Sequence, residues 1–377
     1  MSRARILHCH STFNLGGKEA RAVRLMNAFG DAAEHVILSS IPDALGAREA
    51  IDPAIRVSFP GDAAAPPLHG KPSMGRYRDL ADYMRGFDLV LTYNWGSMDA
   101  VGARRVFAPF LHLPPLVHHE DGFNQDEAAR QKPARVWFRR LMLPTAAHVV
   151  VPSQRLEAIA HDVWKQPRGR IERIPNGIRL PTDAEIADPL PIEGVEPNGG
   201  LVIGTVAGLR PVKNLPRLVR IFAKAAPADA RLVILGEGPE RDVIMAVASM
   251  LGVADRVILP GFVRDPALHM AGFDIFALSS DSEQFPISLV EAMGCALPAL
   301  STDVGDIAAM TSAANSPFIV AKENEDGLAA ALARLCADGE LRRSIGTANR
   351  AGALRDYAEE VMISCYHNLY WNLIRAR

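Results

Sequence analysis

Cysteine is scarce, with Cys9, Cys295, Cys336 and Cys365 the only four in 377 residues. They stand apart in apolar surroundings, with no CxxC and no cysteine–histidine cluster, which argues against a structural zinc site. They read as buried thiols of a reducing compartment. No run of about 20 apolar residues occurs, so no membrane-spanning helix is expected. The segment Met1–His10 has basic residues but lacks the apolar run of a signal peptide. Net charge is almost absent, at a formal −2 with an isoelectric point near 6.6. That excludes a dedicated nucleic-acid binder, which would be far more basic. The expectation is a cytoplasmic protein, able to rest peripherally at the inner face of a membrane.

What is present is ordinary for a globular chain: 49% hydrophobic and 22% charged residues, with 29 glycines and 27 prolines. Collagen-like and disordered classes are excluded, and the length suggests two or three domains. The near-zero charge conceals an asymmetry. Residues 1–180 hold 24 Lys/Arg against 18 Asp/Glu, and residues 181–377 hold 17 against 25.

Short apolar runs alternate with helical periodicity along the chain, which is the pattern of βαβ units and parallel sheets. The first half has strand-like runs at 5–10, 35–39, 88–93, 116–119, 148–152 and 170–175. Residues 41–74, rich in Pro, Gly and Ala, carry no clear period. Residues 181–200 hold prolines, glycines and acids, read as a linker, and the second half then repeats the rhythm from residue 201. From Glu340 onward one long or kinked helix is expected, packing back across both halves. The expected division is 1–180, linker 181–200, 201–355, and a terminal helix over 356–377 that packs on the first domain.

Two loops carry chemistry. The first, Gly204–Asn214, follows a strand and precedes a helix. Gly208 allows a tight turn, and Arg210 and Lys213 lie three apart at a helix mouth, a fork and a point charge suited to a diphosphate. The bland reading is two solvated cations after a turn. The loop is neither a Walker A nor a GxGxxG pattern. The second, Ser279–Glu291, also follows a strand and enters a helix near Pro286. Glu283 and Glu291, at the carboxyl end of a strand, suit sugar or ribose hydroxyls. Alternatively, Glu283 is a helix-dipole charge and Glu291 part of a solvated face.

Gly208 to Lys213 followed by Glu283-x7-Glu291, with Phe285-Pro286 between, resembles the retaining glycosyltransferases of family 4, which have the GT-B fold. Gly16-Gly17, Pro175-Asn176-Gly177, Gly236–Pro239 and Ser301–Gly305 stand in matching order. The resemblance implies an α/β chain of two Rossmann-like α/β/α domains facing each other across a cleft, with 1–180 binding the acceptor and 201–355 the nucleotide sugar. It implies that Arg210 and Lys213 bind the donor diphosphate and stabilise the leaving group. Asn214 closes the same loop. Glu291 would take ribose hydroxyls and Glu283 the transferred sugar. The backbone from Phe285 through Pro286, Ile287, Ser288 and Leu289 would face the phosphates. Gly236 and Val263 would border the base, and Gly16 and Gly17 would admit the sugar phosphate. The expected reaction is metal-independent transfer of a hexose from a UDP- or GDP-sugar to a hydroxyl of a glycan or lipid-linked acceptor. It would serve cell-surface polysaccharide or lipopolysaccharide biosynthesis and need no cofactor. A sugar-nucleotide epimerase of the same fold and a non-catalytic nucleotide-sugar-binding protein are the alternatives.

After the strand at 116–119, either His119 or Asp121 takes the place of the family's active-site histidine. Glu120 and Asp121 also suit a cationic or hydroxyl-rich acceptor. Gln284 departs from the glycine common in relatives. His8, His10, His112 and His148 read as core or strand-end residues. Residues 130–143 combine Arg130, Lys132, Arg135, Arg139 and Arg140 with Trp137 and Phe138. This is either a basic-aromatic lipid contact or a helix with a buried stripe and a solvated face.

Overall fold

A computed structural model describes residues 3–61, 64–71, 73–122, 131–196, 200–283 and 285–376. Gln284, Arg130 and residues 197–199 of the expected linker lie outside the described residues. The chain divides into two compact units, residues 1–176 with 362–377, and residues 177–361.

The first unit is built on seven parallel strands: β1 (Ala4–His10), β2 (Ala33–Ser39), β3 (Val57–Ser58), β4 (Leu89–Tyr93), β5 (Leu116–His119), β6 (His148–Val151) and β7 (Ile171–Arg173). Their order is β3-β2-β1-β4-β5-β6-β7. Parallel strands bury both faces, and β4 is buried at all five positions. Alternate residues divide between two cores. Leu7, Cys9 and Val90 face one. Ile6, Leu89 and Leu91 face the other, with Met362, Tyr366 and Tyr370 from the carboxyl terminus.

The second unit repeats the scheme with β8 (Val202–Val206), β9 (Arg231–Leu235), β10 (Val257–Gly261), β11 (Ile275–Leu278), β12 (Ala299–Thr302) and β13 (Ile319–Val320). The order is β10-β9-β8-β11-β12-β13. Ile203, Leu232 and Ile275 pack on one face, and Val202, Val233 and Phe276 on the other. In each sheet the winding reverses beside the first strand, between β1 and β4 and between β8 and β11. These are the positions at which such sheets open a crevice at their carboxyl ends.

Residues 181–196, expected as a linker, belong to the second unit. Ile192 is buried in its core, Leu190 donates to the carbonyl of Leu268 at 3.0 Å, and Thr182 opens a short helix with a capping box. Chain crossings fall at 176/177 and 361/362 instead. The terminal helical region is two helices, Gly339–Asp356 and Glu359–Arg375. Of the four thiols, Cys9 and Cys295 are buried, but Cys365 is exposed.

Candidate donor site in the second unit

The loops after β8, β9, β10 and β11 surround a cavity of about 820 Å³. That is the size of a ligand pocket. Arg210, Lys213, Glu283 and Glu291 all line it, so the two sequence motifs meet although some 70 residues separate them. Gly208, Gly236, Val263, Phe285, Pro286, Ile287 and Ser288 line it too. Leu289 does not, being fully buried in the core beneath.

The local geometry explains the convergence. Lys213 ends a short helical turn, Pro211–Lys213, and Asn214 follows in the left-handed region at φ 45°. This reverses the chain before the helix Leu215–Ala225. The turn was expected at Gly208, but a Cβ there would meet only Arg210 Nε at 3.5 Å and Glu237 O at 3.9 Å, ordinary contacts. The glycine that the fold requires is Gly236. Its φ is 143°, and a Cβ would lie 2.0 Å from the carbonyl oxygen of Ala207.

The two loops are laced together. Lys213 Nζ donates to Glu283 Oε1 at 2.5 Å, and Ser280 Oγ donates to the same oxygen at 2.6 Å. Asn214 does not line the cavity; its amide donates to both Asp281 oxygens at 3.2 and 3.3 Å. Arg217 pairs with Asp281 at 2.8 Å, and Ser279 Oγ donates to the carbonyls of Lys213 and Asn214 at 3.0 Å. Glu283 is buried to 9% exposure, so it is more than a solvated helix-end charge. Helix Ile287–Gly294 starts behind Pro286 without a side-chain cap. Leu289 N–H bonds the carbonyl of Pro286 at 3.1 Å, and the amides of Ile287 and Ser288 before it open the helix at the cavity wall.

Arg264, Asp265 and Pro266 complete the wall and were not singled out from sequence. Asp265 sits at φ 49° before the helix Pro266–Met270. The Asp-Pro step was the available signal.

The first-unit candidates fare differently. Gly16 and Gly17 start the helix Gly17–Phe29, with Gly16 in extended backbone. His119 is 1% exposed and lies in the core. Its Nδ1 meets the carbonyl of Thr92 at 3.1 Å, so Nδ1 carries the proton, and Tyr370 O–H donates to Nε2 at 2.7 Å. The ring stacks on Tyr93 at 4.7 Å. Burial, then the charge of Arg21, holds it far below the usual histidine range. Both nitrogens are used, so His119 has none left for a substrate. Asp121 instead pairs with Arg21, whose Nη2 donates at 2.9 Å and which also bonds Asn176 at 2.8 Å. Glu120, considered for the acceptor, is fully buried against Arg139 at 2.9 Å. Burial pushes the Glu120 carboxyl up, but Arg139 and His118 outweigh it and hold it below the usual range.

Arg139 also stacks between Trp95 and Trp164 at 5.2 and 4.9 Å. The basic face of helix Pro133–Met142 is therefore not wholly solvated, while Trp137 and Leu141 are 59% and 57% exposed. His10 stacks on Tyr93 at 4.0 Å, but neither ring nitrogen has a partner. No helix among the described residues is long and apolar enough to cross a membrane.

Residues 4–180 match the family model "Glycosyltransferase Family 4", and residues 190–352 match "Glycosyl transferases group 1". N-acetyl-alpha-D-glucosaminyl L-malate synthase of Bacillus anthracis is 30% identical over 171 residues, 45% of each chain. The chain spans half or less of the length of several curated relatives that it matches. Among solved structures, Anabaena HepE in complex with UDP superposes with a TM-score of 0.74 at 18% identity, covering 98% of this chain and all of that one. The lipopolysaccharide outer core galactosyltransferase WaaB, in apo form, gives 0.72 at 17% identity, covering 98% and 99%. These likenesses identify the two Rossmann-like sheets as the GT-B fold.

Proposed function

Since the chain belongs to the GT-B glycosyltransferases of the family 4 and group 1 type, we propose that it is a retaining glycosyltransferase. It moves a hexose from a nucleotide diphosphate sugar to a hydroxyl of a glycan or lipid-linked acceptor. The observation that carries this reading is the meeting of Arg210, Lys213, Glu283 and Glu291 in one cavity at the carboxyl ends of β8–β11. UDP in the Anabaena HepE structure supports a UDP-sugar as donor. The lipopolysaccharide galactosyltransferase supports a cell-surface glycan acceptor.

In this mechanism Arg210 and Lys213 neutralise the diphosphate as it leaves, and the opening amides of helix Ile287–Gly294 add positive dipole. Glu291 accepts from ribose hydroxyls. Glu283, held by Lys213 and Ser280, accepts from the transferred sugar. Neither carboxylate is a nucleophile. The acceptor oxygen bonds the anomeric carbon on the face from which the nucleotide departs, and a phosphate oxygen takes its proton. Two cations on the leaving group make a metal unnecessary. Asp121, paired with Arg21, takes the place of the family's active-site histidine. The exposed Trp137 and Leu141 with Lys132 support peripheral contact at the inner face of a membrane.

A thermal-shift panel of nucleotide sugars tests the donor. The right one, at a hundred times its Kd, stabilises by about 2.7 kcal/mol. With that donor, Lys213→Ala and Arg210→Ala each lower kcat/KM by about 10²–10³, and EDTA leaves the wild-type rate unchanged. Unaltered kinetics in both variants overturn the diphosphate assignment. Strict dependence on Mn²⁺ or Mg²⁺ overturns the metal-free mechanism.

A further inference from the structure

Arg210 and Lys213 line the second unit's cavity together but stand in different states. Arg210 is exposed, and among the described residues its side chain makes no ion pair. Lys213 is engaged. Its Nζ donates to Glu283 Oε1 at 2.5 Å, with the two side chains 16% and 9% exposed. The buried Ser280 donates its Oγ–H to that same oxygen at 2.6 Å. Among the described residues no donor meets Glu283 Oε2, although the residue lines the cavity.

The pair can open without parting the loops that carry it. Asp281 N–H donates to the carbonyl of Val212 at 2.8 Å. Ser279 Oγ holds the carbonyls of Lys213 and Asn214 at 3.0 Å. Thr302 Oγ1 donates to the carbonyl of Ser280 at 2.7 Å, so Ser280 keeps its place against Glu283. Only the Lys213 side chain has to swing, on a stem that is flexible by nature.

A carboxylate this buried is costly to leave without a counter-charge. A diphosphate that takes Lys213 leaves Glu283 with Ser280 alone. What the ligand carries beyond the diphosphate then decides the outcome. A sugar presents hydroxyls, which donate to carboxylate oxygens. A nucleoside diphosphate ends in phosphate oxygens, which repel a carboxylate. Arg210 attracts both ligands and does not distinguish them.

We propose that the Lys213–Glu283 pair is a latch by which the cavity tells an intact nucleotide sugar from the spent nucleoside diphosphate. The sugar holds the latch open. Once the sugar has been transferred, Glu283 recaptures Lys213 and drives the nucleotide out. The proposal rests on the donor reading of this cavity, and the two fail differently.

Calorimetric titration of the full chain compares UDP with UDP-glucose and UDP-galactose, and GDP with GDP-mannose. In the wild type one sugar form binds about tenfold more tightly than its nucleoside diphosphate. Glu283→Gln removes the charge that Lys213 must abandon. It binds that nucleoside diphosphate about tenfold more tightly than the wild type does, and the advantage of the sugar form shrinks below about threefold. Ser280→Ala acts in the opposite direction. Glu283 then loses its remaining partner when Lys213 leaves, so the nucleoside diphosphate binds about threefold more weakly. The proposal falls if the wild type does not distinguish any sugar form from its nucleoside diphosphate, if Glu283→Gln binds the nucleoside diphosphate no more tightly than the wild type, or if Ser280→Ala binds it as tightly. Should circular dichroism show Glu283→Gln unfolded, Ser280→Ala decides alone. A wild type that binds a nucleoside diphosphate with an affinity both variants share overturns the latch and leaves the donor reading standing. A wild type that binds none of the five ligands overturns both.

Discussion

Lys213 shows how much one residue's role depends on its partners. In sequence it is a cation near a turn; in the structure it bonds Glu283 at 2.5 Å, in a place where an arriving diphosphate would compete for it. Four buried imidazoles of the first unit carry a different consequence. Burial lowers His8, His10 and His119 well below the ordinary 6.5, and His35 to about 4. Above pH 6.5 they are neutral in both folded and unfolded chains and have no effect. Below it the unfolded chain binds protons that the folded one refuses, so stability falls. His35 alone accounts for a loss on the order of 3 kcal/mol by pH 4, at ~1.4 kcal/mol per unit. Melting temperature should therefore drop steadily from pH 7 to pH 4, and a shallower drop in His35→Asn, which cannot take the proton, measures the share that His35 contributes. The cations and acids that line the second unit's cavity were legible in sequence because each lies in a short local motif. His119 was not, since its fate depends on Thr92, Tyr370 and Tyr93, all distant in the chain.

Elements were read well where the period was long enough to express itself. Strand β5 lies at the residues expected, Leu116–His119. Strand β3 escaped because two residues, Val57–Ser58, carry no period. The helices Asp183–Ala187, Pro266–Met270 and Ile307–Met310 escaped for the same reason. The junction after β9 shapes the second unit's cavity, which Gly236 and Ala207 line, for Gly236 donates its N–H to the carbonyl of Gly261 at 2.8 Å while lying close against Ala207. Gly236→Ala should cost about 1–3 kcal/mol in denaturant unfolding and weaken UDP binding by calorimetry. An unchanged UDP affinity would separate this contact from the site. The buried Glu120–Arg139 pair is the corresponding device in the first unit. Arg139→Ala, leaving a charge unpaired, should destabilise by about 3–5 kcal/mol.

At the scale of the molecule, the first unit is completed by the far end of the chain. Met362, Tyr366 and Tyr370 are 3%, 0% and 1% exposed within its core. Deleting residues 362–377 opens that core and removes Tyr370, whose hydroxyl donates to His119 Nε2. The expected result is loss of the first unit's cooperative melting transition, with UDP still protecting the second. Retention of both transitions would show the terminal helix to be dispensable. Two α/β halves, parallel sheets and the residue types of the loops around the second unit's cavity follow from the sequence alone, because periodicity and glycine-rich turns are local properties. Tertiary structure decided the rest. The proline-rich stretch joined the second unit because Ile192 finds apolar cover there. His119 became a core residue and Glu120 an ion-pair partner. Those outcomes depend on which side chains distant segments bring into contact, and no short stretch of chain encodes that.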